Sequence, residues 1–297
     1  MTTPNQGDYL YQQNISRGAL FVLASAFVFS FVGILVKLLS TELPIPMVVF
    51  FRSAGGLLFV IPMILAQQNL SLKTGLWMNH SARAVSGVTA MYLFFFAMAN
   101  LPLAEAIALN FTSPMIVPIM AYLLLRERLP SRIWLMLMVG FMGVLLILKP
   151  GYAGFNTAAW AGFASAFFAS FALVNVRKLT RTEPATRIVF YFSLIASLLT
   201  LVPMLMVWQT PNLTQLGMLI SIGLLATIGQ WLLTRGYASG PVGQIGFFHY
   251  SSVIFAGVFD WLIWNARLDH VSLAGIILII IAGIVAMRTS APEHDHH

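Results

Sequence analysis

Three ionisable side chains stand inside long apolar runs of this chain: Arg52, Glu105 and Asp260. A charge in an apolar medium is costly, so such residues serve a ligand, a proton path or a partner charge. Arg52 offers a planar fork of donors that can grip an anionic group. It can also pair with backbone carbonyls and a neighbouring acid. Glu105 begins its run, where a carboxylate complements a helix N-terminus. Asp260 can carry a proton or pair with Arg52, Lys37 or Arg267. His249, Ser252 and Asp260 recur at helical spacing and share a stripe with Ala256, with Gln244 close in angle and Tyr250 adjacent. His249 is read as the only histidine inside an apolar run. Thr227, Gln230 and Thr234 form a second stripe, with Trp231 beside it. Asn110 and Ser113 precede Pro114 and Pro118, which remove backbone donors and bend a helix. Tyr92, Phe95 and Phe96 add aromatic faces suited to flat or amphiphilic solutes.

The elements that must position these residues follow from composition. Of 297 residues, 59% are hydrophobic and 8% charged, with a mean hydropathy of +0.86. Soluble domains carry roughly 25% charged residues. This composition excludes a soluble enzyme, a nucleic-acid binder and a disordered chain. Cysteine is absent, which removes disulfides and thiolate chemistry. The sequence holds no phosphate-cradling glycine loop with lysine, no paired carboxylates and no metal cluster. An ATP-driven pump, an enzyme, a cofactor and a metal are therefore not expected. Ten apolar segments are long enough to span a bilayer: 18–38, 45–66, 83–101, 104–125, 132–149, 158–177, 188–208, 217–236, 241–264 and 271–288. The expected fold class is an all-α integral membrane protein of ten transmembrane helices. Residues 1–17 and 289–297 are read as polar tails, without a cleaved signal sequence.

With the N-terminus in the cytoplasm, twelve Lys and Arg fall inside and three outside: Lys37, Lys149 and Arg267. That bias places both termini in the cytoplasm of a bacterial inner membrane and explains the formal charge of +7.

The chain also repeats itself. Residues 24–37, ASAFVFSFVGILVK, match residues 164–177, ASAFFASFALVNVR, at seven of fourteen positions. The same offset pairs Pro44 with Pro184 and Ser53 with Ser193, and an offset of 139 pairs Pro102 with Pro241 and Ser113 with Ser252. Two units result, 18–149 and 158–288, each of five spans. Five is odd, so the second unit enters the membrane from the opposite side. Inverted five-helix repeats are a design of secondary transporters, which expose a midplane site to each side in turn.

Several local patterns, taken in order, resemble the EamA type of the drug/metabolite transporter superfamily over roughly residues 17–288. They are Phe50-Phe51-Arg52, Asn100-Leu101-Pro102-Leu103-Ala104-Glu105-Ala106, Pro114, Arg126-Glu127-Arg128-Leu129, the stripe from Gly140 to Lys149-Pro150, His249-Tyr250 and Asp260-Trp261. The family often repeats the Glu127-type acid after the ninth span, where this chain has Ala266 between Asn265 and Arg267. The resemblance implies a 5+5 fold with a central cavity lined mainly by spans 1, 3, 4, 6, 8 and 9. The expectation is a secondary transporter for an amino-acid-like, nucleoside-like or heteroaromatic metabolite. Uptake and efflux stay open, as does a non-transporting membrane scaffold. The expected substrate-binding residues are His249, Gln230, Trp231, Asn110, Tyr92, Ser252, Gln244, Tyr250 and Arg52, with Asp260 and Glu105 as coupling or structural charges. Expected partners are a small-molecule substrate, the lipid bilayer and protons as a coupling ion, with no nucleic acid, in a monomer or weak homodimer.

Overall fold

Helix starts in this chain are written by a few residue types. Asn14 accepts from the Arg17 amide at 2.9 Å and opens α1 (Ile15–Leu39). Asn156 does the same for Ala159 at the start of α7 (Thr157–Leu179). Asn212 and Gln215 form a reciprocal capping box on α9 (Leu213–Ala238). Each cap satisfies amide donors that the first helical turn leaves unpaired. Pro44 and Pro184, paired by the repeat, sit in extended conformation before α2 (Ile45–Leu65) and α8 (Ala185–Met206). The remaining helices are α3 (Trp77–Asn100), α4 (Leu103–Asn110), α5 (Ser113–Leu125), α6 (Ser131–Leu148), α10 (Val242–Gly246), α11 (Ser251–Trp264) and α12 (His270–Thr289). This computed structural model describes residues 14–66, 71–101, 103–127, 130–148, 156–264 and 270–289.

The protein is an all-α membrane protein, and twelve helices make ten spans because two spans are broken. In the fourth, α4 ends at Asn110 and α5 begins at Ser113. Pro114 has no amide to give the Asn110 carbonyl, so a helical hydrogen bond is lost where the span breaks. The ninth span contains no proline at its break. There α10 passes into a 3-10 turn, Phe247–Tyr250, before α11. Ser251 Oγ donates to the Phe248 carbonyl at 2.6 Å and Ser252 Oγ to the His249 carbonyl at 2.7 Å. Hydroxyls that take carbonyls in this way compete with the α-helical ladder. The continuous helix expected over 241–264 is thus two pieces. The third span also begins earlier than the sequence suggests, at Trp77 and not residue 83, because its first turns are polar.

Seven segments are long and apolar enough to cross a membrane by length and composition, and two further helices are shorter but apolar. Large apolar side chains such as Leu20, Met78, Leu123 and Leu213 are exposed on the outside of the bundle. An apolar exterior of this extent needs lipid around it. Inside, α1 lies along α9 and α3 along α7, with α2 against α8 and α6 against α12. These pairings are what a two-fold relation between two five-span units produces. Close approach is bought by glycine: a Cβ on Gly55 of α2 would lie 2.7 Å from the Gly223 Cα of α9.

Candidate functional site

The polar groups of α2, α3, α8 and α9 converge on one cleft. Arg52, Ser53 and Gly56 of α2, Phe192 and Ser193 of α8, and Thr227 and Gln230 of α9 line it. Arg52 is partly buried; its Nη1 donates to Met91 Sδ at 2.7 Å and its Cζ lies 5.9 Å from the Phe29 ring. Arg83, one turn into α3, backs the same cleft. It is 5% exposed, its Nη2 donates to Gln230 Oε1 at 2.8 Å, and its Cζ lies 4.0 Å over the Phe192 ring. Glycine makes the room for it, since a Cβ on Gly87 would lie 2.6 Å from Arg83 Nη1. Neither guanidinium meets a carboxylate among the described residues. Two forks of donors beside an amide have the chemistry to hold a polar, negatively charged group.

Arg83 is the candidate that the sequence reading leaves out. It was counted as a loop charge because the third span was started at it. The same displacement hid His80, which is 1% exposed on α3, so His249 is not the only histidine on a spanning helix. A signal was present: His80, Arg83 and Ser86 recur at helical spacing ahead of the apolar run.

A second polar cluster surrounds the break in the ninth span. His249 stacks on Tyr237, with ring centroids 6.2 Å apart and planes at 22°. Gln244 Oε1, His249 Nε2 and the hydroxyls of Tyr237 and Tyr250 are buried with no hydrogen-bond partner among the described residues. Tyr250 also meets Phe111 of the fourth-span break, at 6.2 Å between centroids. The two residues are counterparts at the repeat offset of 139.

The end of the bundle that carries most of the arginines is tied shut. Arg126 ends α5 in the left-handed region at φ 57° and turns the chain to Glu127. Glu127 Oε1 accepts from Arg177 Nε and Arg181 Nη2, both at 3.0 Å, and Oε2 accepts from the Val242 amide at 3.2 Å. Arg177 also donates to the carbonyls of Tyr237 and Ala238. One carboxylate thereby joins α5, α7, α9 and α10. Glu183 forms a second knot at this end, bonded to Thr74, His80 and Arg187. Here α10 packs on α5 and α7, whereas α4 and α11, their counterparts at the opposite end, share no comparable packing among the described residues.

Of the residues singled out from sequence, Arg52 and Gln230 line the cleft together, and Tyr92 packs beside it against Phe192. Gln244, His249 and Tyr250 gather at the ninth-span break, and Ser252 caps its 3-10 turn. Asn110 donates to Ser165 Oγ of α7 at 3.1 Å, away from both clusters. Trp231 turns to the far side of α9, against Phe21 and Arg235. The side chains of Glu105 and Asp260 lie outside the described residues.

Two matches to one family model decide what this architecture is. The EamA-like transporter family model matches residues 16–149 and again 156–288. The chain belongs to the EamA-like transporter family. Among its relatives, the pseudopaline exporter CntI of Pseudomonas aeruginosa is 33% identical over 277 residues, covering 93% of this chain and 97% of that protein. A riboflavin transporter of Vibrio cholerae is 28% identical, over 95% of this chain and 97% of that one. A solved crystal structure at 19% identity superposes with a TM-score of 0.80 over 92% of this chain and 99% of its own, which shows the shared fold. This EamA-like protein is thus a multi-span membrane transporter of the drug/metabolite transporter superfamily, built from two five-helix repeats.

Proposed function

We propose that this EamA-like protein is a secondary transporter that moves a small organic metabolite across a bacterial inner membrane by alternating access. The cleft between α2, α8 and α9 is its substrate site. The carrying observation is the convergence of Arg52 and Gln230 on that cleft with Arg83 held behind it, deep in a helix bundle where isolated polar groups are costly. The relatives' names, a pseudopaline exporter and a riboflavin transporter, support an organic cargo of metabolite size. Both termini lie in the cytoplasm on this reading, so the tied end is the cytoplasmic one and the described state opens outward. Exchange of conformations between the units 18–149 and 158–288 then opens the other side. His249, Gln244, Tyr250 and Ser252, gathered at the ninth-span break, are further substrate-contact candidates, and Asp260 and Glu105 are the coupling candidates.

The test is uptake of a pooled metabolite panel into proteoliposomes, read by mass spectrometry, with and without an inward proton gradient. Gln230→Ala is expected to lower transport about tenfold or more at unchanged folding, equivalent to about 1.4 kcal/mol of lost interaction. Unchanged transport in both Gln230→Ala and His249→Ala removes this region as the site. A gradient dependence that survives Asp260→Asn removes that residue as the proton carrier.

A further inference from the structure

The charge balance of the cleft carries more than the idea of a generic organic cargo. Arg83 Nε is buried and has no hydrogen-bond partner among the described residues. The guanidinium's other contacts are an uncharged amide oxygen and a ring face. Among the described residues, Arg52 is held by a thioether and a ring face alone. Like charges gathered at one cleft also repel one another. Each described carboxylate is committed elsewhere: Glu42 to Gln215, Glu127 to Arg177 and Arg181, Glu183 to His80 and Arg187. The described residues therefore place two positive charges in a low-dielectric cleft with no counter-charge, an arrangement that is costly unless something else neutralises it.

We propose that the cargo of this cleft, on the transport reading above, is an organic dianion: a metabolite with two carboxylates, one for each guanidinium fork. Guanidinium and carboxylate match in a bidentate geometry that a lone positive point charge would not select. Gln230 and Phe192 fix the plane of Arg83, so its fork is set before the solute arrives. The hydroxyl of Ser193 faces the polar middle of the molecule, while that of Thr227 donates to the Gly223 carbonyl and keeps only its lone pairs for a ligand. A monocarboxylate neutralises one fork and strands the other; a neutral solute strands both. Selectivity is therefore by charge at constant shape.

The purified full chain is tested for thermal stabilisation by succinate, succinamate and succinamide, which share a skeleton and carry two, one and no negative charges. Uptake of labelled succinate and 2-oxoglutarate into proteoliposomes runs in parallel, with riboflavin, which has no carboxylate, as the control. The expected order is dianion over monoanion over neutral amide, with at least tenfold weaker dianion uptake in Arg52→Gln and in Arg83→Gln. Arg83→Lys, which keeps the charge and loses the fork, should recover only part of it. Stabilisation that ignores charge overturns the proposal, as does failure of every dianion to stabilise the wild-type chain. If the wild-type chain takes up riboflavin and no dianion, the dianion reading falls while the transporter reading stands. If no solute moves or stabilises the folded protein, both fall. Should the arginine variants fail to fold, the succinate series on the wild-type chain decides alone.

Discussion

Arg83 and Gln230 show how a single contact can control a site without lining it from end to end. The 2.8 Å bond from Arg83 Nη2 fixes both partners, one on α3 and one on α9. Removing the amide in Gln230→Ala leaves a buried guanidinium with a further unpaired donor, a loss that typically costs about 1–3 kcal/mol. The expected result is reduced transport together with a lower melting temperature, whereas Gln230→Glu should pair with Arg83, cancel one of the two positive charges and weaken dianion uptake while raising the melting temperature. Gly56→Val is a steric counterpart. Even a Cβ at this position would lie 2.5 Å from Ser193 Oγ, so a branched side chain should fill the cleft and block substrate-induced stabilisation; retained stabilisation would move the site elsewhere. Arg52 and Gln230 were legible in the sequence because each interrupts an apolar run. Arg83 was not, because it stands where the polar stretch Asn79-His80-Ser81 passes into the apolar run, and hydropathy alone puts it at the span's edge. Trp231 illustrates the reverse case: it is adjacent to Gln230 in sequence, but 100° of helical rotation carries it to another face.

At the scale of elements, the two broken spans differ in how openly the sequence declares them. Pro114 announces the fourth-span break, and Pro114→Ala should restore the missing helical hydrogen bond and slow transport without loss of stability. The ninth-span break depends on a 3-10 turn stabilised by two consecutive serines, a signal that apolar periodicity overrides. Helical spacing therefore assigned His249 and Ser252 to one continuous stripe, while the chain uses Ser252 to hold the His249 carbonyl. Glu127 was visible as an acid after the fourth span, yet its three partners come from α7, the turn after it and α10, far along the chain. Long-range partners of that kind leave no local pattern. Glu127→Ala should loosen the junction of α5, α7 and α10. The chain has no cysteine, so Val242→Cys introduces a unique probe at a residue that is 0% exposed. Its maleimide labelling should rise at least tenfold in the Glu127→Ala background; equal labelling would show that this carboxylate does not hold the end closed.

For the whole molecule, the class of fold was readable from composition and from the repeat at 24–37 and 164–177, because a bilayer permits few architectures. Which end of the bundle is tied was not readable, since it depends on contacts between the two units. The topology itself is open to direct test: labelling of cysteines placed at each terminus should report both on the cytoplasmic side, and opposite sides would overturn the ten-span count. The meeting of Phe111 with Tyr250 has a further consequence. Two residues that are counterparts under a two-fold operation and also touch each other must sit at the axis of that operation. When the two units trade shapes, distances between residues that are not counterparts are free to change, whereas a pair of counterparts keeps its separation. This aromatic pair is therefore the fulcrum of the cycle. Spin labels there should report one distance whichever way the carrier opens, and trimming the pair should slow inward and outward traffic by the same factor.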